Sequence, residues 1–233
     1  VACYLQYLGI RGYDYYGENK FKKNKNIFDD EKEALEFFEI FEKILKLINN
    51  KDKEFLTSFN YRWIGENKNK GLAVFSKISI DFEEQNSYYL RYFIPFKVNT
   101  KRCYAIWAMN PYIEEMVVYF SIYKHLLNEK SIIIGDFNSN VIWDTKHNIR
   151  NHTTFNTMLK KVNLESAFHV LNKIAYGKEN TPTLYMYRNL EKGYYIDYAY
   201  SSPKYMKTFI IGSPDEWLTY SDHMPILFET ISR

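Results

Sequence analysis

The sequence predicts one α/β (α+β) domain, and three observations carry that prediction. A length of 233 residues suits a single large domain spanning 1–233, because cores keep growing up to roughly 250 residues before chains split. Short apolar runs alternate with helical patterns along the chain. One run, Ser131-Ile132-Ile133-Ile134-Gly135, is continuously apolar and β-branched, as a strand covered on both faces must be.

Composition supports the same class. Hydrophobic residues make up 46% and aromatics 18%, with 22 Tyr and 17 Phe against only 9 Gly and 6 Pro. That is ample for a sizeable core and leaves no room for long disordered stretches. The net charge of +3, from 31 basic and 28 acidic residues, is too mild for the concentrated basic face of a dedicated nucleic-acid binder. An acidic metal site would subtract from that total, so nucleic acid stays open as a partner. Cys3 and Cys103 sit beside apolar or aromatic neighbours and read as buried thiols in a reducing compartment. No run approaches the ~18 apolar residues of a membrane span, and the N-terminus shows no basic-then-apolar leader. We therefore expect a cytoplasmic protein without a membrane span, acting as a monomer.

Strands are expected over residues 2–6, 55–61, 72–76, 90–96, 103–108, 131–135, 183–187, 194–200, 209–212 and 225–229. The clearest helix covers 31–48, where Ala34, Phe37, Phe38, Phe41, Ile44, Leu45 and Ile48 recur at helical spacing and Asp30 with Glu33 resembles a capping box. Further helices are expected over 113–127 and, as a shorter pair, between 154 and 171. Lys20, Lys22, Lys23 and Lys25 read as a solvated loop. Lys68 and Lys70 admit either that reading or a role in meeting phosphates.

Three segments stand out for chemistry, because each sets an acid at or beside a strand end. They are Gly135-Asp136-Phe137-Asn138, Ile196-Asp197-Tyr198 and Ser221-Asp222-His223-Met224-Pro225. Strand ends are rigid and present side chains into a shared crevice. Singly, each segment has a plainer explanation: Gly-Asp after a strand is usually a turn, an Asp in an aromatic strand can pair with a neighbour, and Ser-Asp is a common cap. Together, in this order and with spacings of about sixty and then twenty-five residues, they resemble the endonuclease/exonuclease/phosphatase superfamily. Its C-terminal half carries G-D-x-N, I-D-[YH] and S-D-H-x-P. The stretch Trp63-Ile-Gly-Glu-Asn-Lys-Asn-Lys-Gly-Leu-Ala-Val-Phe-Ser76 is similar to the family's glycine-then-strand segment. With Trp143-Asp144 and Asn151-His152-Thr153, it looks most like a bacterial branch of unassigned substrate. The resemblance covers about residues 60–230 and leaves the first sixty or so divergent.

The resemblance implies a four-layer sandwich of two packed mixed β-sheets flanked by helices, and a divalent-metal-dependent phosphodiesterase or nuclease. Asp222 would be the metal-shell carboxylate for Mg²⁺ or Mn²⁺. Asp136 would orient and deprotonate the attacking water, and Asn138 would hold that water or a phosphate oxygen. His223 would contact the phosphate, with Asp197 fixing its tautomer and favouring its protonated form. Elementary electrostatics agrees, since an anionic phosphodiester repels nucleophiles unless a cation neutralises the developing charge. Carboxylates crowded into one cleft also raise one another's pKa unless a cation sits among them.

The N-terminal half departs from the family pattern, which carries an Asn on its first strand and a metal-binding Glu in L-Q-E on the next. One alignment sets Cys3-Tyr4-Leu5-Gln6 on the first strand, with no Asn. The other sets Leu5-Gln6-Tyr7 against L-Q-E, which puts Tyr7 where the Glu belongs. A phenol with a pKa of about 10 does not replace a carboxylate on Mg²⁺. Glu36, Glu39 and Glu42 read as the wet face of the 31–48 helix, and Glu54 precedes a strand. After 103–108 the chain offers Asn110 before Pro111, a neutral donor where the family often has a phosphate contact. Lys68, Lys70, Lys146, Arg150 and Arg188 are candidate phosphate contacts, and Trp143, Tyr185 and Tyr187 are candidate base-stacking rings. Two readings follow: a metal-dependent hydrolase of DNA, RNA or another phosphoester, or a protein of the same fold with a disabled metal site that binds such ligands.

Overall fold

A computed structural model describes residues 5–6, 60–67, 70–84, 87 and 89–231. The expected helix over 31–48, Tyr7, Glu54, Lys68 and the lysines at 20–25 lie outside the described residues. So do the first part of the strand expected over 2–6 and most of that over 55–61. The strands in chain order are β1 Leu5–Gln6, β2 Asn60–Asn67, β3 Lys70–Ser76, β4 Asp81–Phe82, β5 Tyr92–Val98, β6 Lys101–Trp107, β7 Ile132–Asp136, β8 Glu165–Ser166, β9 Leu184–Tyr185, β10 Gly193–Tyr194, β11 Asp197–Ser201, β12 Met206–Ile211 and β13 Ile226–Thr230. The α-helices are α1 Ile113–Ile122, α2 His152–Lys160, α3 Ala167–Asn172 and α4 Pro214–Trp217.

The central sheet has six strands in the order β4-β5-β6-β7-β11-β8. It is mixed: β6 and β7 run parallel, whereas β11 lies antiparallel to β7. The β5–β6 hairpin turns through Asn99 at φ 53, a left-handed position that Asn tolerates. Reaching a parallel β7 from β6 requires a crossover, and α1 supplies it.

Side-chain alternation assigns the two faces of this sheet. On one face Phe93, Tyr104, Ile106, Ile133, Tyr198 and Tyr200 pack with Ile113, Met116, Val117 and Phe120 of α1 and Phe155 and Leu159 of α2. On the other, Tyr92, Ile94, Phe96, Cys103, Ala105 and Trp107 meet Leu72 and Val74 of β3. Ile134 and Ala199 continue that second face against Met206 and Phe228 of the β12–β13 hairpin. Each fully buried side chain of this size contributes about 1.5–3 kcal/mol by leaving water. Cys103 is among the buried residues, at 2% exposure.

The expected sandwich is therefore present, with one refinement. Among the described residues, the strands facing the central sheet pair antiparallel, in two pieces, β1-β3-β2 and β12-β13. Within the first piece β2 and β3 form a local hairpin, whereas β1 joins β3 from a distant part of the chain. The strand expected over 194–200 also divides. Tyr194 pairs with Leu184 in a two-stranded ribbon, and pairing within the central sheet begins only at Asp197. Between them, Tyr195 accepts from Asn140 Nδ2 and the Ile196 carbonyl accepts from Phe137 N–H. The helix expected over 113–127 ends at Ile122, and a short 3-10 turn over Lys124–Leu126 follows.

Candidate active site

The ends of β7 and the start of β11 set the first two residues. In the antiparallel register Asp136 lies opposite Asp197, so both carboxylates leave the same face of the sheet at adjacent positions. Asp136 is 1% exposed and Asp197 6% exposed. Gly135 makes the approach feasible. Its φ is 146, and a Cβ there would fall 1.8 Å from the Ile106 carbonyl oxygen of the neighbouring parallel strand. Only glycine lets β6 and β7 come this close beside Asp136.

Phe137 is fully buried among Phe155, Tyr198 and Tyr200, and it anchors the loop that follows. Asn138 then turns left-handed, with φ 46. Its backbone N–H donates to Asp136 Oδ1 at 2.7 Å. Its Nδ2 donates to Asp136 Oδ2 at 2.9 Å and to the Ala108 carbonyl at 3.0 Å. The carbonyl fixes which amide atom faces inward. Asn138 Nδ2 is thus committed to the protein, and what the side chain can offer a ligand is its acceptor, Oδ1. That suits holding a water, not donating to a phosphate oxygen.

His223 arrives from the segment before β13, where its N–H donates to Ser221 Oγ at 3.0 Å and its backbone bridges Leu184. Its Nδ1 lies 3.0 Å from Asp197 Oδ2. Ligand-capable atoms of Asp136, Asp197 and His223 lie within 4.8 Å of one another. Asp222 is half-buried, and its carbonyl accepts from Tyr185 N–H at 2.7 Å. Its carboxylate makes no hydrogen bond or ion pair with another of the described residues.

Protonation follows from this crowding. Burial, then the Asp197 carboxylate, raise the Asp136 pKa to about 8, against the pull of His223 and the Asn138 N–H. Burial alone would lower the His223 pKa, but Asp197, by charge and hydrogen bond, and then Asp136 and Asp222 outweigh it and raise it to about 9. At neutral pH His223 is therefore an imidazolium whose Nδ1–H donates to Asp197. A contact with a bound anion must then come from Nε2–H.

The remaining sequence-predicted contacts lie elsewhere. Asn110 is exposed two residues beyond Ala108, Lys146 is exposed at the end of the 3-10 turn Val141–Lys146, and Arg150 is exposed after it. No described hydrogen bond or ion pair ties their side chains to the Asp136 group. Lys70 opens β3. Arg188 donates to the Thr219 and Tyr220 carbonyls at 3.1 and 3.3 Å, so it braces the segment leading into Ser221. Tyr185 is buried with Trp217 and Met224 and belongs to a core. Tyr187 is 77% exposed, and Trp143 packs against Tyr194 at 5.4 Å. The contribution of Ala108 was not legible in the sequence. It acts through backbone, accepting from Asn138 and donating N–H to the Asp136 carbonyl at 2.8 Å.

The sequence matches no family model and no curated protein. Solved structures do match. The 3′ phosphatase NExo from Neisseria bound to product DNA hairpin aligns at TM-score 0.57 and 15% identity, covering 76% of this chain and 81% of that one. The 3′-5′ exonuclease NExo from Neisseria meningitidis aligns at 0.56 and 16%, with the same coverage. An AP endonuclease from Archaeoglobus fulgidus aligns at 0.56 and 15%, again over 76% and 81%. Identity this low speaks for fold and not for activity. The fold of this chain is that of the endonuclease/exonuclease/phosphatase superfamily.

Proposed function

We propose that the protein is a divalent-metal-dependent phosphodiesterase, acting as a nuclease on DNA or RNA. The observation that carries this reading is the opposition of Asp136 and Asp197 across β7 and β11, with His223 bonded to the second carboxylate. An acid with a pKa of about 8 is near the ideal for a general base at neutral pH. Asp136 would take a proton from a water held by Asn138 Oδ1. The water oxygen would bond to phosphorus as the bond to the leaving oxygen breaks, and that oxygen would take a proton from solvent. His223, held cationic by Asp197, would face a non-bridging phosphate oxygen and offset the charge that builds there.

The residues present fit a hard cation. Two carboxylates and one imidazolium converge within 4.8 Å, and Asp222, close enough to act on the charges of Asp136 and His223, has no hydrogen bond committing its carboxylate among the described residues. Asp222 would hold Mg²⁺ or Mn²⁺, with the Asp136–Asp197 pair beside it. When bound, such an ion neutralises phosphate charge and activates water. The strand β1, which pairs with β3 and approaches β7, favours the alignment of Leu5-Gln6 with L-Q-E.

That same alignment puts Tyr7 at the position of a metal carboxylate, and this favours a second reading: a phosphate-ligand or nucleic-acid binding protein with an impaired site. Hydrolysis assays on single- and double-stranded DNA, RNA, an abasic duplex and small phosphoesters, with Mg²⁺ or Mn²⁺ and with chelator, test the two. Cleavage that stops with chelator supports the enzyme. Binding that ignores metal, with nothing cleaved, overturns it.

A further inference from the structure

The Asp197–His223 pair is built from two chain segments that are 26 residues apart, so something must hold them in register. We propose that Thr183 is the positioning residue for this pair. Its rate effect rests on the phosphoesterase reading above. Its structural effect does not.

Thr183 is fully buried and stands just before β9. Its Oγ1 accepts from two successive backbone N–H groups, those of Ile196 and Asp197, each at 3.0 Å. Its own N–H donates to the Tyr194 carbonyl at 2.9 Å, and its carbonyl accepts from Met224 N–H at 2.7 Å. One residue therefore grips the chain on both sides of the dyad: the two residues entering β11, and the residue directly after His223.

The geometry explains why a hydroxyl is needed. The chain leaves the β9–β10 ribbon at Tyr194 and joins the central sheet at Asp197. At that break the Ile196 and Asp197 amides have Thr183 Oγ1 as acceptor, in a region where Ile196 is 2% exposed. Buried N–H groups need partners. Without the oxygen they must turn toward another acceptor, and any turn of the Asp197 peptide swings its carboxylate. A displacement of about 1 Å at such a group is enough to lose a factor of roughly 10² in rate.

The test compares Thr183→Val, which keeps the branched shape and removes the acceptor, with Thr183→Ser, which keeps the acceptor and removes a methyl. Thr183→Ala removes the acceptor with less bulk near the two amides, and it is read in the same way if the valine variant does not fold. In metal-free protein with ¹⁵N-labelled imidazoles, the far-downfield proton of His223 Nδ1–H bonded to a carboxylate is followed by NMR, assigned by its loss in Asp197→Asn. We expect it in wild type and Thr183→Ser, and shifted upfield or lost in Thr183→Val. On a cleaved substrate, Thr183→Val should lower kcat at least ~10-fold with KM within about twofold, and Thr183→Ser should stay within about threefold of wild type. A folded Thr183→Val with an unchanged downfield proton and unchanged kcat overturns the assignment. So does an equal loss of kcat in Thr183→Ser. If wild type cleaves nothing, the hydrolase reading fails, and the NMR comparison alone decides the role of Thr183.

Discussion

Replacing Gly135 with alanine tests how the Asp136 end of the sheet is assembled. The backbone there has φ 146, a region that residues with a Cβ occupy at an expense of ~1–3 kcal/mol. The new methyl would also sit 1.8 Å from Ile106 O and 2.8 Å from Ile106 C. These are backbone atoms of a central strand, so no side-chain rotation relieves the overlap. The alternative is to separate β6 from β7 at the Ile106–Gly135 and Trp107–Asp136 pairs. That gives up at least one ladder hydrogen bond, at about 1 kcal/mol, and part of the packing around Tyr104 and Ile133. We expect a total loss of at least ~3 kcal/mol, or a fall in Tm of roughly 6–12 °C for a domain of this size. Urea titration and calorimetry read it directly. A loss below about 1 kcal/mol would show that the parallel β6–β7 approach is looser than described, and that Asp136 is not held by it.

The other predictions concern charge and protons. Asp136→Asn and His223→Ala should each lower kcat by at least ~10²-fold, as expected for a lost base or charge-stabilising group; steady-state rates on any cleaved substrate check this. His152 is fully buried, with Nδ1 3.1 Å from Ser139 Oγ and Nε2 2.9 Å from Tyr200 OH, which itself donates to Asn156 Oδ1. Burial lowers its pKa to about 3, below the ~6.5 of an unfolded chain. The native state therefore refuses a proton that the unfolded state accepts, so this stability is complete above about pH 6.5 and is lost as pH falls toward 3. Between pH 6 and 4, the slope of unfolding free energy against pH should be shallower in His152→Gln by up to ~1.4 kcal/mol per pH unit, and an unchanged slope would refute the neutral assignment. Tyr7→Glu should give or increase metal-dependent cleavage if Leu5-Gln6 takes the place of L-Q-E, as a chelator-controlled assay would show.

Much of the candidate site was legible because its chemistry leaves few choices of residue. Asp136, Asn138, Asp197 and His223 each lie where the strand-end motifs placed them, and the Asp197–His223 bond follows from the role assigned to the pair. What the sequence could not show is where side-chain capacity is already spent. The motif G-D-x-N suggests an amide aimed at a ligand, whereas Asn138 turns its Nδ2 on Asp136 and Ala108. That contact depends on the parallel register of β6 and β7, which is non-local. The divided strand over 194–200 was hidden for a similar reason. Tyr194, Tyr195, Ile196, Tyr198 and Tyr200 make the segment read as one strand, and the break arises from partners in distant segments, namely Thr183, Asn140 and Phe137. The two-residue strands β4 and β8 were missed because pairing, and no local pattern, defines them.

The register of β7 against β11 also bears on what the site is for. A sheet selected only for stability would not face two buried carboxylates across one antiparallel pair, since like charges directly opposite are destabilising and burial penalises each of them. Here the Asp136–Asp197 opposition is backed by a third carboxylate close enough to raise the pKa of both Asp136 and His223. One imidazolium partly compensates, and the elevated Asp136 pKa shows that compensation is incomplete. The unmet demand is for positive charge at the C-terminal edge of β7, beside His223. On the proposed reading, a divalent cation and the charge developing on a phosphoester would meet there with opposite signs, which would make the arrangement costly for the protein alone and useful once both were bound. Asparagine at position 136 removes the buried charge but can accept only one of the two Asn138 hydrogen bonds, so it should change stability by no more than about 1–2 kcal/mol while losing the proposed chemistry, a separation of stability from activity expected of a group retained for function.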